Sequence, residues 1–347
     1  MEDPISDAPS TQPLETEPLD SQTPKNETPQ PSIFLPPSIT RPLILSGESY
    51  TYQSPVPFQI LQNPSEPCVL GVDEAGRGPV LGPMVYGLLY LPLSQHTSLL
   101  ASTHHFDDSK VLTPAVRSEL MEKICTSSTD LFETCGWATR MMSARDISAA
   151  QLRPNGAYNL NAQAMDATAD LIRGVLQAGV NVTEVYIDTI GPPEAYQKRL
   201  ERIFPNLRIT VAKKADSLYP CVSAASVCAK VSRDAALEVL YESYDDQGGE
   251  VAWGSGYPSD ARCTGWMRAN MDPVFGWGSE CRFSWGTAKE MLEGGKVVGA
   301  KAEWPDAAAE GAQGDNMKLT GFMMGGKEEE GDELGTWFGR KVTEEVF

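Results

Sequence analysis

The apolar run Cys68-Val-Leu-Gly-Val72 passes directly into the acidic pair Asp73-Glu74 and a glycine-rich turn, Gly76-Arg-Gly-Pro79. A second apolar run, Met84-Val-Tyr-Gly-Leu-Leu-Tyr-Leu91, follows at once. Two runs of strand length joined by a Gly/Pro-rich turn predict a hairpin-like start to a sheet. On its own, an acidic pair beside glycine is a solvated turn. Its meaning depends on what the rest of the chain brings to the same place.

Downstream the pattern alternates. A third strand is predicted over Gly136–Met142. Thr113-Pro114 reads as an N-cap with proline at the first helical position, opening a helix to about Ile124. Asn159 to Ala178 carries Leu160, Ala164, Ala167, Leu171 and Val175 at helical spacing, and Gly179 supplies the stop. Glu184–Asp188 predicts a strand, Pro193–Phe204 a helix, Arg208–Lys213 a strand and Cys221–Tyr241 a further helix. Antiparallel strands followed by strand–helix alternation give a mixed α/β sheet flanked by helices.

The ends of the chain differ from this middle. Of 26 prolines, 10 fall in residues 1–42 among Ser, Thr, Gln and Glu, which predicts a disordered tail over 1–45. A folded body over 46–290 follows. Residues 291–347 form an acidic, Gly-rich tail that ends in the apolar group Trp337, Phe338, Val342, Val346 and Phe347, a docking segment.

The net charge of −19 argues at first against a nucleic-acid partner. Residues 1–60 and 289–347 contribute −6 each, however, whereas Glu194–Glu238 holds 8 basic against 5 acidic side chains. A basic surface is therefore available within the body. The longest apolar stretches fall short of the ~18 residues a membrane helix needs, and the N-terminus lacks a signal-peptide layout, so an intracellular protein without a membrane partner is expected. Seven cysteines without C-x-x-C pairs argue against a disulfide framework or a zinc site. Cys221 and Cys228 are expected to pack as small apolar groups on one helix.

Asp188 ends the run Val185-Tyr-Ile-Asp188, and Asp216 follows the next strand and turn. Ligands gather where the strands of an α/β sheet end. Each acid alone reads as an N-cap or turn residue. Asp73, Glu74, Asp188 and Asp216 together would meet at one sheet edge if their strands are neighbours. Four such carboxylates require cations to stay ionised, and hard oxygen donors suit Mg²⁺ or Mn²⁺. A pair of such ions supports phosphoryl hydrolysis by activating water and stabilising the leaving oxygen.

Six stretches carry a resemblance: Gly71-Val-Asp-Glu-Ala-Gly-Arg-Gly-Pro79, Asp107-Asp-Ser-Lys110, Tyr186-Ile-Asp-Thr189, Lys214-Ala-Asp-Ser-Leu-Tyr219, Ser223-Ala-Ala-Ser-Val-Cys-Ala-Lys230 and Gly254-Ser-Gly-Tyr-Pro258. In this order, over roughly residues 65–290, the chain resembles type 2 ribonuclease H, and most closely the catalytic A subunit of the eukaryotic enzyme. The resemblance implies a ribonuclease H-like mixed sheet flanked by helices, with a C-terminal helical extension. It makes Asp73, Glu74, Asp188 and Asp216 the metal ligands and catalytic acids, with two Mg²⁺ or Mn²⁺ ions.

The same resemblance assigns substrate contacts. Gly76, Arg77 and Gly78 would touch the ribose 2′-hydroxyl through the backbone, where glycines permit close approach and that hydroxyl distinguishes RNA from DNA. Tyr257 would pack against the sugar or base beside the cleaved bond. Lys110, Lys214, Lys230, Ser223 and Ser226 would bind phosphates. The implied activity is endonucleolytic hydrolysis of RNA in RNA/DNA hybrids and cleavage 5′ of single ribonucleotides in duplex DNA, leaving 3′-hydroxyl and 5′-phosphate ends. Two accessory subunits in a nuclear heterotrimer are the implied partners. Two alternatives stay open from the residues: a HAD-like phosphatase built on Ile187-Asp-Thr189, although position 190 is Ile where that chemistry wants a second acid, and a non-catalytic hybrid-binding protein.

Overall fold

In the computed structural model the chain is described over residues 34–106, 112–153, 158–189, 191–245 and 253–293, with two further two-residue strands near the C-terminus. The elements run α1 (Arg41–Leu45), β1 (Tyr50–Gln53), α2 (Phe58–Gln62), β2 (Cys68–Ala75), β3 (Met84–Pro92), α3 (Pro114–Cys125), α4 (Asp130–Thr134) and β4 (Gly136–Met142). Then come α5 (Ala144–Gln151), α6 (Leu160–Gln177), β5 (Val182–Asp188), α7 (Pro193–Ile203), β6 (Arg208–Ala212), α8 (Pro220–Asp245), α9 (Ala261–Ala269) and α10 (Gly286–Glu293). The pair β7 (Ala302–Glu303) and β8 (Arg340–Lys341) is antiparallel.

The main sheet has six strands in the order β1-β4-β3-β2-β5-β6. Pairing is antiparallel from β1 to β2 and parallel from β2 through β5 to β6, the predicted mixed sheet. The predicted hairpin is β2–β3, and its continuous apolar character has a physical cause: helices cover both faces. On one face Leu70, Val72, Leu88 and Tyr90 pack with Ala164, Leu171, Ile172 and Val175 of α6 and Leu200 of α7. On the other, Val69, Leu89 and Leu91 pack with Leu120, Met121 and Ile124 of α3 and with Cys221, Ala225 and Cys228 of α8. A strand buried on both faces reads as a run rather than an alternation.

The helix starts follow the capping chemistry. Thr113 Oγ1 accepts the Val116 N–H at 3.3 Å, and Asn159 Oδ1 accepts the Ala162 N–H at 3.0 Å. Cys221 and Cys228 are fully buried, as expected.

α8 lies unusually close to the sheet. A Cβ placed on Gly71 would sit 2.3 Å from the backbone of Cys221, and one on Gly87 would sit 2.4 Å from the Ala225 carbonyl oxygen. The missing side chains let helix backbone approach strand backbone, and the small residues Ser223-Ala-Ala-Ser226 permit this from the helix side.

A third cluster joins the C-terminal half of α8 (Ala236, Leu237, Leu240) to Trp253, to Cys263, Trp266 and Met267 of α9, and to Trp277, Cys281 and Ala288. This is the expected C-terminal helical extension, and it packs against Val80, Leu81 and Val85 beside the β2–β3 turn.

The N-terminal boundary differs from the expectation of a disordered tail over 1–45. Residues 34–45 belong to the folded body: Ile44 is buried with the third cluster, and the buried Ser38 hydroxyl lies 3.1 Å from that of Ser232 on α8. The Tyr50 hydroxyl donates to the Ser38 carbonyl at 2.9 Å. Proline content conceals the apolar residues Phe34, Ile39 and Ile44 placed among the prolines. The rest of that tail, and the side chains of Trp337 to Phe347, lie outside the described residues.

Candidate active site

β2 delivers the acidic pair. Asp73 stands opposite Gly87 and Glu74 opposite Tyr86 on β3, while Val72 pairs with Ile187 on the parallel strand β5. Asp188 is one residue beyond Ile187, so Asp73 and Asp188 stand side by side near the ends of adjacent strands. The period of two sends Asp73 toward α8 and Glu74 toward α6 and α7. Asp216 comes from the short turn Ala215–Ser217 between β6 and α8, and Asp188 Oδ1 accepts the Ala215 N–H at 2.7 Å. One acid thereby fixes the turn that presents another.

All four acids line one cleft of about 610 Å³ with Gly76, Arg77, Lys214, Lys230 and Tyr257. A second cleft of about 360 Å³ adjoins it on the α6/α7 side, sharing Glu74, Arg77, Asp188 and Thr189. Burial pushes the Asp73 carboxyl up to about 7, raised further by the Asp188 charge and opposed by a hydrogen bond from Ser226 and by Lys230. Burial also pushes Glu74 up to about 8, with Asp73 and Asp188 adding to the rise and Arg77 opposing it. Lys230 and Arg77 offset only part of these rises, so the buried Asp73–Glu74 pair is left short of compensating positive charge at neutral pH.

That deficit is the test of whether a metal belongs here. The donors are carboxylate oxygens, the hard ligands that Mg²⁺ and Mn²⁺ prefer, so the residues fit a divalent cation. Among the described residues, no three carboxylate, histidine or cysteine side chains close on one point tightly enough to cage a cation. An ion here would keep waters and take substrate oxygens beside one or two protein carboxylates, as Mg²⁺ commonly does.

The expected substrate residues divide into three groups. Gly76, Arg77, Gly78 and Tyr257 come together: Gly76 has φ +76°, and a Cβ on Gly78 would lie 2.9 Å from the Tyr257 ring, itself 42% exposed. Lys214 and Lys230 line the cleft, Lys214 at the left-handed φ of +57°. Ser223 and Ser226 correct the expectation. Both are fully buried under β2, so neither offers a phosphate any surface, and the Ser226 hydroxyl donates to Asp73 instead. Lys110 lies outside the described residues.

The structure adds residues that sequence reading missed. Arg117, Lys213, Arg233 and Asp234 line the main cleft; Asn159, Asn161 and Arg199 line its neighbour. Arg77 hydrogen-bonds Asn161. The basic excess over Glu194–Glu238 was the one sequence signal for several of them. Arg117 and the asparagines carried none.

Comparison with known proteins agrees with this arrangement. The family profile described as ribonuclease HII matches residues 70–288. The A subunit of ribonuclease H2 from Neurospora crassa is 57% identical over 319 residues, covering 90% of this chain and 97% of that protein. The human protein of the same name is 44% identical over 274 residues, 78% of this chain and 86% of that one. Among solved structures, ribonuclease H2 from Pyrococcus horikoshii superposes with a TM-score of 0.53 at 27% identity, over 65% of this chain and 97% of that one. The ribonuclease HII of the Archaeoglobus fulgidus PCNA complex gives 0.51 at 28% identity, over 64% and 96%. On its sequence, its sheet and the acids gathered at the sheet edge, the chain belongs to the ribonuclease HII family, the type 2 class of ribonuclease H.

Proposed function

We propose that this chain is the catalytic subunit of an endoribonuclease that hydrolyses the RNA strand of RNA/DNA hybrids. In this reading it also cuts 5′ of a single ribonucleotide embedded in duplex DNA, leaving 3′-hydroxyl and 5′-phosphate ends. The observation that carries the reading is the meeting of four carboxylates with the Gly76-Arg77-Gly78 loop and Tyr257 in one cleft. Divalent cations, Mg²⁺ or Mn²⁺ and two in number, would be held by Asp73, Glu74, Asp188 and Asp216. When bound, they would supply water activation and charge stabilisation at the leaving oxygen.

The chain's own residues do the rest. The backbone of Gly76–Gly78 approaches the ribose, the Tyr257 ring packs on the neighbouring sugar, and Lys214 and Lys230 bring positive charge to the phosphates. Ser226 and the Ala215 N–H hold Asp73 and Asp188 in orientation. The relatives bear the name of one lettered component of ribonuclease H2, which supports assembly with accessory proteins. Two such proteins in a nuclear heterotrimer complete the proposal, with Trp337 to Phe347 as the docking segment.

A cleavage assay with Mg²⁺ tests this. The full-length chain, alone and co-expressed with accessory subunits, is offered a hybrid, an all-DNA duplex and p-nitrophenyl phosphate. Cleavage of the hybrid alone, with 5′-phosphate product, supports the reading. Turnover of p-nitrophenyl phosphate without hybrid cleavage would replace it with a phosphatase. Hybrid binding without any cleavage would leave a non-catalytic binding protein.

A further inference from the structure

Arg282 is fully buried, and among the described residues it forms no salt bridge. Its guanidinium donates instead to backbone carbonyls of the β2–β3 turn: Nη2 to Gly76 at 2.6 Å, Nη1 to Arg77 at 2.9 Å, and Nε and Nη2 to Gly82 at 3.1 and 3.0 Å. The cation lies 4.8 Å over the Trp285 ring, and Trp285 Nε1 donates to the Gly78 carbonyl at 3.1 Å. The carbonyls of Gly76, Arg77 and Gly78 are thus all claimed by two side chains from the C-terminal extension.

This has a geometric consequence. In a planar trans peptide the N–H points opposite to the carbonyl. Turning the Gly76 and Arg77 carbonyls onto Arg282 therefore turns the N–H groups of Arg77 and Gly78 away from it, to the face of the loop opposite the guanidinium. Burying a cation without a carboxylate is costly, and carbonyl dipoles with one ring recover only part of that cost. Packing the extension would be served more cheaply by an apolar side chain. The Arg233 side chain, which lines the cleft, comes within 2.6 Å of where a Gly76 Cβ would stand.

We infer that Arg282 and Trp285 are positioning residues for substrate selection: they aim the backbone donors of the Gly76–Gly78 loop at the ribose, so the C-terminal extension sets discrimination at the sheet edge. The inference rests on the proposed function. It predicts that loosening this clamp degrades the sensing of one sugar more than it degrades hydrolysis as such.

The test uses the full-length chain in whatever assembly the wild type cleaves, and compares Trp285→Phe and Arg282→Lys on a single-ribonucleotide duplex and on a long hybrid. Melting temperatures are measured alongside. Trp285→Phe keeps the ring over the guanidinium and removes one donor. It should lower kcat on the single-ribonucleotide duplex about tenfold with KM nearly unchanged, while the long hybrid, which offers many registers, falls less. Arg282→Lys cannot span three carbonyls and should lose about a hundredfold on the single site, the usual effect of a small misplacement. If both substrates lose the same factor, or if the loss follows the unfolded fraction, the clamp is structural only and the inference fails. If the wild type cleaves neither substrate, the functional reading fails first, and the two failures are told apart by that control.

Discussion

The Asp188 carboxylate accepts the backbone N–H of Ala215 at 2.7 Å, so the residue that ends β5 also ties down the turn carrying Asp216. With Asp73 on the adjacent strand held by Ser226, three of the four acids sit on backbone or helix features that the fold itself fixes. The site is assembled by strand neighbours and one turn, and variants that disturb those supports should act on catalysis through position.

Gly87 is the first such support. Gly87→Ala would drive a methyl group into the Ala225 carbonyl and Ala229 backbone, both rigid helix atoms at 2.4 and 2.8 Å. Relief requires α8 to move off the sheet, which separates Ser226 from Asp73, opposite Gly87 in register. We expect a destabilisation of about 3 kcal/mol and a fall in activity beyond that explained by unfolding. Calorimetry and hybrid cleavage on the same preparation check both; a variant with wild-type stability would show that the helix has room to yield.

Without divalent cations, stability should decline as pH rises. Asp73 and Glu74 have ordinary values of 3.8 and 4.5 and are raised in the folded chain to about 7 and about 8, burial being the main cause. Folding therefore takes up protons between about pH 4 and pH 8. The stabilisation is complete below the unfolded values and is lost as pH passes through the folded ones. In chelator, the melting temperature at pH 8.5 should therefore lie well below that at pH 5. Mg²⁺ should restore much of the difference, and Asp73→Asn should shrink it. An Asp73→Asn protein with the full wild-type pH dependence would show that the buried pair is not its source.

Tyr257 should govern selectivity. Its ring touches Gly78 and is partly open to the cleft. A ring stacked on a sugar or base is worth ~1–3 kcal/mol, so Tyr257→Ala should slow cleavage of a single-ribonucleotide duplex roughly tenfold to a hundredfold. Tyr257→Phe should retain most activity, because the ring does the packing. Equal loss in the two variants would transfer the role to the hydroxyl, and wild-type rates in Tyr257→Ala would leave the ring as loop packing alone.

The N-terminal segment should divide at residue 33. Deleting 1–33 removes none of the contacts described, and the melting temperature and specific activity should hold. Deleting 1–45 removes Ile44 from the third cluster and Ser38 from its contact with Ser232, and should lower the melting temperature by several degrees. Equal melting temperatures for the two truncations would show that residues 34–45 contribute nothing to the body.

Much of this was legible in the residues, and the reasons are physical. The runs that became β2 and β3 are apolar throughout because helices cover both faces; the helix that became α3 carried a cap, and the one that became α6 carried helical periodicity. The four acids could be found because each follows an apolar strand. β1 was missed because a four-residue, partly exposed edge strand leaves no apolar run, and α5 because eight residues are too short for helical spacing to stand out. Arg282 was invisible for a different reason: its partners are backbone carbonyls some 200 positions away, which no side-chain spacing encodes. The serines of Ser223-Ala-Ala-Ser226 misled because small hydroxyls suit phosphate contacts and tight helix–strand packing equally well, and here packing won.

The central claim is that Asp73, Glu74, Asp188 and Asp216 form one hydrolytic centre. Its most direct test is single-turnover cleavage of an RNA/DNA hybrid in saturating Mg²⁺ by Asp73→Asn and Asp188→Asn, with hybrid affinity measured in parallel. The amide keeps the shape of each side chain and removes its charge. We expect a loss of cleavage of about a thousandfold or more, on the scale of removing a key electrostatic group from an active site, with folding intact and much of the hybrid binding retained. Cleavage at near wild-type rate by either variant would contradict the claim.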